Sequence, residues 1–166
     1  MNQNDGVSSQ SKFWVPLAER MRILTQYKRV AMVGLSANPF RPSHFVAIYL
    51  ISKGFDVIPV NPREKEILGR PCYPSLKDIP GPVDIVDVFR DPSAVPAIVE
   101  ESIAIGAKVL WLQLGVIHEA AAERAVNAGL TVVMDRCMKI EHGRLFGGLQ
   151  TIGLNTGIIS SRRGGL

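Results

Sequence analysis

Cationic and hydroxyl side chains follow the first apolar segment of the chain, where they are suited to bind an anion. The apolar run Val30–Val33 ends at Gly34, and Ser36, Arg41 and Ser43 follow it closely. A buried strand, a tight turn and a helix start, in this order, bring together free backbone N–H groups and the positive end of a helix dipole. We therefore expect a phosphate-type ligand on the loop from Gly34 to Ser43.

Further polar and cationic side chains follow the other predicted strands at their carboxyl ends. Because parallel strands present their carboxyl ends at one edge of a sheet, these residues should share one crevice with the first loop. Arginines at that edge favour a phosphorylated ligand. The candidate binding residues are Gly34, Leu35, Ser36, Arg41, Pro42, Ser43, Asn61, Pro62, Arg63, Phe89, Arg90, Gln113, Gly115 and Cys137.

The elements that must position these residues alternate between strands and helices. We predict strands at 30–33, 55–60, 83–89, 108–112 and 130–134, and helices at 16–27, from 42 to a stop at 54, from 91 to a stop at 106, and at 118–128. Most strands are continuous apolar runs, which is typical of a parallel sheet covered on both faces. The predicted fold is therefore a single doubly wound, Rossmann-like α/β domain. It has a five-stranded, mainly parallel sheet in the order 3-2-1-4-5, with helices on both faces.

One residue fits this pattern poorly. Pro59 lies within the second predicted strand, and proline cannot donate a ladder hydrogen bond, so we place the end of that strand close to it. The segment that follows, residues 64–82, is a proline-punctuated connection with one short helical turn at about 75–79.

Three segments are distinguished along the chain. Residues 1–12 are polar and predicted to be a disordered lead, residues 13–143 form the domain, and residues 144–166 form a glycine-rich extension. We interpret the extension as an added segment or as an arm used in oligomer formation. The sequence leaves open whether the chain forms a homo-oligomer or binds a protein partner.

Composition excludes several classes of protein. Hydrophobic residues make up 46% and charged residues 20% of the chain, as in ordinary globular domains. The net charge of +4 suits the binding of a small polyanion. The sequence has no helix dense in Lys and Arg, so nothing in it indicates nucleic-acid binding. Cys72 and Cys137 lie far apart, which argues against a zinc site and a disulfide scaffold, and no metal site is predicted. Since no secretory signal or membrane span is found, the expected location is the cytoplasm.

The first loop differs from the dinucleotide fingerprint G-x-G-x-x-G. Its three positions are Gly34, Ser36 and Pro39, so only the first glycine is present. The second strand ends in Asn61 and Arg63 rather than in the acidic residue that holds the ribose of NAD. A cation there suits a ribose phosphate, which is either the 2′-phosphate of NADP or the 3′-phosphate of coenzyme A. The residues alone leave both ligands open.

No set of side chains fits hydride transfer or hydrolysis. The histidines, His44, His118 and His142, are widely spaced, and neither a G-x-S-x-G nor an H-E-x-x-H motif occurs. Asp84 and Asp87 lie three residues apart in the third strand, hence on opposite faces, which argues against a joint acid–base role. Asp87 is predicted to be a structural carboxylate, buried or at the edge of the crevice.

Several characteristic segments follow one another in the chain. They are Gly34-Leu35-Ser36-Ala37-Asn38-Pro39 with Arg41-Pro42-Ser43, Val60-Asn61-Pro62-Arg63, Val83-Asp84-Ile85-Val86-Asp87-Val88-Phe89-Arg90, Trp111-Leu112-Gln113-Leu114-Gly115 and Met134-Asp135-Arg136-Cys137. In this order they resemble the CoA-binding domain family of small stand-alone Rossmann-like proteins, and the chain is similar to the nucleotide-binding domain of the succinyl-CoA synthetase α subunit. The resemblance covers about residues 14–143.

This resemblance implies that coenzyme A lies across the strand carboxyl ends, with its phosphates on the loop from Gly34 to Ser43. Residues 61–63 and 89–90 would then flank the adenosine and the pantetheine. Synthetases of this kind use a phosphorylated histidine of a second domain, so the resemblance implies a binding module rather than an independent ligase.

The leading hypothesis is a carrier or sensor of coenzyme A or acyl-CoA without catalysis of its own. One alternative is an NADP-binding, oxidoreductase-like protein. Another is a regulatory subunit that senses the CoA level and signals to a partner through residues 144–166. For Cys137 two roles stay open: an inert thiol, or a thiol that forms a mixed disulfide with coenzyme A, with Arg136 favouring the thiolate.

Overall fold

The computed structural model describes residues 13–147 and contains a five-stranded parallel sheet between two layers of helices. In chain order the elements are α1 (Leu17–Gln26), β1 (Arg29–Val33), α2 (Pro42–Ser52), β2 (Asp56–Val60), β3 (Glu66–Ile67), β4 (Arg70–Pro71), β5 (Ile85–Val88), α3 (Val95–Ala104), β6 (Val109–Leu112), α4 (Glu119–Asn127), β7 (Thr131–Val133) and α5 (Met138–Phe146). Short 3-10 turns occupy Leu76–Asp78 and Pro92–Ala94. None of the described helices is long and apolar enough to cross a membrane.

The fold class predicted from the sequence is confirmed, but the predicted strand order is wrong. The sheet order is β2-β1-β5-β6-β7, and all of its pairings are parallel. The third predicted strand, β5, pairs with β1 through Val30 and Ile85, whereas the order 3-2-1-4-5 places it beside the second strand. The order of the predicted strands is thus 2-1-3-4-5, and the switch point lies between β1 and β5.

Pro59 explains the corrected order. Its carbonyl oxygen accepts a hydrogen bond from the Tyr73 N–H at 3.0 Å, on the side of β2 that faces away from β1. The carbonyl and the N–H of one residue point to the same side of a strand, so the N–H that proline lacks would also face outward. A full strand cannot pair regularly on that side, and β2 is therefore an edge strand.

Alternate residues of the strands build two apolar cores. On one face, Ala31, Val86 and Leu110 pack with residues of α3 and α4. On the other face, Met32 and Trp111 pack with residues of α1, α2 and α5. Because both faces are covered, the strands are apolar throughout, and the open edge formed by their carboxyl ends is left for a ligand.

Helix α5 was not predicted. Its inward face carries polar residues, because Glu141 and Arg144 are buried, and this weakens the apolar periodicity by which helices are found. Glu141 is held by Arg20 at 3.1 Å and by Arg136 at 3.0 Å. The helix runs past the predicted domain boundary at residue 143, and its Leu145 is buried in the core. The predicted lead, 1–12, and the extension from 148 on lie outside the described residues.

Candidate functional site

The loop after β1 passes very close to the end of β5. Gly34 has a φ of +86°, and a Cβ atom there would overlap with the carbonyl oxygen of Phe89 and lie 2.9 Å from Cδ of Arg90. The N–H of Gly34 also donates to the Val60 carbonyl at 3.0 Å. Only glycine fits this position, which joins the carboxyl ends of three neighbouring strands.

Hydrogen bonds within the loop fix its shape ahead of α2. The Ser36 N–H donates to Ser43 Oγ at 3.0 Å, and His44 Nδ1 lies 2.9 Å from the Ser36 carbonyl oxygen. The Asn38 N–H donates to Ser36 Oγ at 3.1 Å. Among the described residues, the backbone N–H groups of Ala37 and Ser43 have no hydrogen-bond acceptor. The loop thus keeps one amide donor at Ala37, and the start of α2 keeps one at Ser43 together with its positive dipole end.

A cleft of about 580 Å³ opens between this loop and the ends of β5 and β6. Its lining residues are Gly34, Ser36, Arg41, Pro42, Ser43, Val46, Phe89, Arg90, Gln113, Leu114, Val116 and Cys137. Most residues predicted for the site are among them. Val46, Leu114 and Val116 were missed, because apolar side chains in a wall look like core residues in the sequence.

Three predicted site residues do not line this cleft and form contacts within the protein. Leu35 is fully buried in the core beneath the loop. The Asn61 Nδ2 donates to the Leu35 carbonyl at 3.0 Å and so ties the end of β2 to the loop. The Gly115 N–H donates to Asp135 Oδ1 at 2.9 Å, which joins the ends of β6 and β7 outside the cleft wall.

A smaller cleft of about 220 Å³ lies on the other side of Gly34 and Arg90, which line both spaces. Pro62 is part of its wall, and Glu101 closes it from α3. Arg63 lines neither cleft and extends from the loop after β2 with its side chain exposed. The two clefts and Arg63 occupy one edge of the sheet, at the switch point.

The arginines at this edge differ from most others in the described part of the chain. Arg41, Arg63 and Arg90 are exposed, and none of them forms an ion pair with residues 13–147. Elsewhere, ion pairs with carboxylates hold Arg20, Arg22, Arg29, Arg70, Arg124 and Arg136. The carboxyl edge therefore carries positive charge that the described protein groups do not neutralise.

A buried carboxylate lies beside the opposite end of the cleft. Asp87 on β5 is completely buried, which is one of the two positions predicted for it. Its Oδ1 accepts a hydrogen bond from Gln113 Nε2 at 2.6 Å. Its Oδ2 has no hydrogen-bond partner among residues 13–147. Burial raises the pKa of Asp87 to about 7, against a smaller lowering effect of the Gln113 hydrogen bond. The contact of Asp87 with a cleft residue was not predicted.

The thiol of Cys137 lines the cleft at the start of α5. Burial raises its pKa, the charge of Asp87 adds to this, and the backbone amides of Ile140 and Lys139 act in the opposite direction. Arg136 does not activate the thiol as expected, because its guanidinium binds Glu141 at 3.0 Å and lies 4.9 Å above the ring of Trp14.

The histidines lie outside the wall of the cleft. His118 caps α4 by accepting the Ala121 N–H at 3.1 Å, and His142 Nδ1 lies 2.9 Å from the Tyr49 hydroxyl. Within residues 13–147, no group of three or more His, Cys, Asp or Glu side chains is arranged to hold a metal ion. The cleft is lined by backbone amides, arginines, two serines, one carboxamide, one thiol and apolar side chains.

Comparison with known proteins identifies a family. The model of the CoA binding domain matches residues 28–143 of the chain. The Bacillus subtilis protein YneT is 44% identical over 125 residues, which are 75% of this chain and 93% of YneT. A solved structure of a protein from Pyrococcus horikoshii OT3 superposes with a TM-score of 0.79 at 41% identity, over 89% of this chain and all of the other.

A larger protein contains a related segment. The ADP-forming acetate–CoA ligase I of Archaeoglobus fulgidus is 30% identical over 121 residues, which are 67% of this chain but 18% of the ligase. The similarity therefore concerns one part of that enzyme.

Proposed function

The chain belongs to the CoA binding domain family, and from this premise we propose that it binds coenzyme A or an acyl-CoA across the carboxyl edge of its sheet. The observation that carries the proposal is a group of three exposed arginines at the carboxyl edge of the sheet, Arg41, Arg63 and Arg90, which form no ion pair with residues 13–147. Coenzyme A carries a diphosphate and a 3′-phosphate, and arginines bind phosphate oxygens through paired hydrogen bonds. We further propose that the chain acts as a carrier or sensor of this ligand, with no catalytic step of its own.

The diphosphate is assigned to the start of α2. The Ser43 N–H, which has no acceptor among the described residues, and the dipole of the helix supply fixed positive potential there. Arg41 is the N-cap residue of the same helix, and both Arg41 and Arg90 line the cleft, so two guanidinium groups are available to the diphosphate.

The 3′-phosphate is assigned to the neighbourhood of Arg63. This residue follows β2, where nucleotide-binding folds of this class contact the ribose, and its side chain is exposed and forms no ion pair with the described residues. The adenosine would then lie beside Pro62 and the smaller cleft.

The apolar part of the cleft suits the pantetheine arm. Val46, Leu114 and Val116 form a wall without charge, and a cleft of about 580 Å³ is of the size of ordinary small-ligand sites. An extended arm in this part leads away from the arginines towards Gln113 and Cys137.

Titration calorimetry of the full chain with coenzyme A, dephospho-CoA and NADP tests the proposal. We expect coenzyme A to bind, and dephospho-CoA to bind about tenfold more weakly, since one charge-assisted contact is lost. Equal affinity for both would remove the role of Arg63 at the 3′-phosphate. Absence of any coenzyme A binding would contradict the proposed function, and tighter binding of NADP would favour the oxidoreductase-like alternative.

The regulatory alternative shares the binding step and adds a protein partner that responds to it. A pull-down from cell extract with the full chain and with a chain ending at residue 147, each with and without coenzyme A, separates the two roles. Capture of one defined protein that depends on both the ligand and residues 148–166 would replace the carrier role by a regulatory one.

A further inference from the structure

The carboxamide of Gln113 is held in one orientation by a group that does not itself line the cleft. Gln113 Nε2 donates to Asp87 Oδ1 at 2.6 Å. The opposite orientation would bring two oxygens together, so an ionised Asp87 selects the orientation with the NH2 group inward. Gln113 lines the cleft, and its Oε1 accepts no hydrogen bond from the residues that the structure describes. Its carbonyl oxygen is therefore the part left for a ligand.

The carboxylate of Asp87 packs in the sheet less favourably than an apolar side chain would. Its side chain lies on the same face of the sheet as Met32 and Trp111, its register partners on β1 and β6, which belong to the apolar core. One of its carboxylate oxygens is buried without a partner, and such a group destabilises a fold. An apolar residue would pack there without this penalty. What the carboxylate adds is the fixed direction of the Gln113 amide.

We propose that Asp87 is a positioning residue that presents Gln113 Oε1 to an amide N–H of the ligand, and that this contact makes the cleft specific for the pantetheine arm. The inference rests on the proposed function and extends it. The arm of coenzyme A contains two amides, each with one N–H donor. Adenosine 3′,5′-bisphosphate keeps the 3′-phosphate and one of the two 5′-phosphates and contains no amide N–H. Gln113 lies with Leu114 and Val116 in the uncharged part of the cleft, where a hydrogen bond is strengthened by the low local dielectric.

The test compares two ligands on variants of the full chain. Coenzyme A and adenosine 3′,5′-bisphosphate are titrated into the wild type, D87N and Q113M at about pH 8. In D87N the new amide can either accept a hydrogen bond from Gln113 Nε2 or donate one to Gln113 Oε1, so the Gln113 carboxamide is no longer held in one orientation. In the turned orientation its NH2 group faces the cleft and cannot accept a hydrogen bond from an N–H of the ligand. Q113M keeps the length of the side chain and removes the acceptor altogether.

We expect Q113M to bind coenzyme A about tenfold more weakly and D87N to bind it more weakly by a smaller factor, each with unchanged affinity for adenosine 3′,5′-bisphosphate. Three results overturn the inference: wild-type affinity of Q113M for coenzyme A, wild-type affinity of D87N for coenzyme A, or an equal loss of affinity for both ligands. If D87N does not fold, Q113M alone decides between these results. A wild-type chain that binds neither ligand would contradict the proposed function itself, which is a different outcome.

Discussion

The two ends of the cleft use opposite physical devices. The cationic end consists of the loop from Gly34 to Ser43 with Arg41 and Arg90, and its arginines are exposed and without ion pairs among the described residues. The neutral end consists of Gln113, Leu114, Val116 and Cys137, with the buried Asp87 beneath Gln113. Exposed charges act over a distance and are weakened by salt, whereas a buried hydrogen bond acts at contact and depends on direction.

Each end therefore has a separate task. The cationic end can attract any phosphorylated adenosine and hold its phosphates, but it distinguishes poorly among them. The neutral end adds little attraction, but it can distinguish a ligand with an amide-bearing arm from one without it. Substitutions at the two ends should accordingly differ in their dependence on salt, pH and ligand.

The largest effect is expected at the backbone of the cationic end. G34A places a Cβ atom against the Phe89 carbonyl oxygen at a φ of +86°, so the loop must move away from β5. We predict a loss of roughly 2–4 kcal/mol in the free energy of unfolding and no measurable coenzyme A binding. Urea unfolding and calorimetry measure both quantities.

The matched control lies in the loop that bears the neutral end. Gly115 has a similar φ of +81°, but a Cβ atom there meets nothing within 4 Å. G115A should therefore cost only about 1 kcal/mol, from backbone strain alone, and retain binding. Similar losses in the two variants would show that close packing against Phe89 is not what makes Gly34 necessary.

The second effect is a gain in the free energy of unfolding from a substitution at the neutral end, whereas G34A lowers that free energy. Burial raises the pKa of Asp87 from 3.8 to about 7. Between these two pH values Asp87 is protonated in the folded state and ionised in the unfolded state. The contribution of Asp87 to stability therefore falls as the pH rises through this window and is lowest above pH 7. D87N removes this dependence, and we predict that it is more stable than the wild type by roughly 1–3 kcal/mol at about pH 8.

The measurement is the difference in unfolding free energy between D87N and the wild type, because other titrating groups then cancel. This difference should be larger at about pH 8 than at about pH 5. A difference that does not change with pH would mean that Asp87 is not protonated in the folded protein near neutrality. A variant that is both more stable and weaker in coenzyme A binding would mark Asp87 as a residue that serves the site rather than the fold.

The third effect is the response of the cationic end to salt. R90A should weaken coenzyme A binding about tenfold at low ionic strength, and by only about twofold in 1 M salt, because exposed charges are screened. R124A is the control, since it removes the same charge from an exposed arginine that is paired with Glu100 far from the cleft. Equal effects of the two substitutions would indicate attraction by the net charge of the chain rather than contact with Arg90.

The two ends also differ in how well they could be predicted from the sequence. Gly34, Ser36, Arg41 and Ser43, which line the cleft, could be predicted to lie together because a strand, a glycine and a helix start follow one another locally in the chain. The strand order was wrong because it depends on the pairing of residues far apart, although Pro59 carried a signal that β2 is an edge. The hydrogen bond of Asp87 with Gln113 joins two strands and could not be found from local pattern.

The smallest effect on affinity is expected at Cys137, where the sequence left two roles open. Its thiol contributes at most a weak contact in the cleft, so C137S should change the affinity for coenzyme A by less than about twofold. Formation of a mixed disulfide is a separate property and stays a prediction. Exchange with CoA disulfide requires the thiolate, and both burial and Asp87 raise the pKa of this thiol.

We therefore predict that incubation with CoA disulfide adds one CoA mass to Cys137 slowly at about pH 7 and faster at about pH 9, with release by a reductant. Intact mass spectrometry follows the adduct, and C137S is the control that excludes Cys72. D87N should speed the reaction at neutral pH, because it removes the negative charge that disfavours the thiolate. An adduct that forms equally fast in D87N and the wild type would show that Asp87 does not affect the reactivity of Cys137. The two side chains at the neutral end would then act independently.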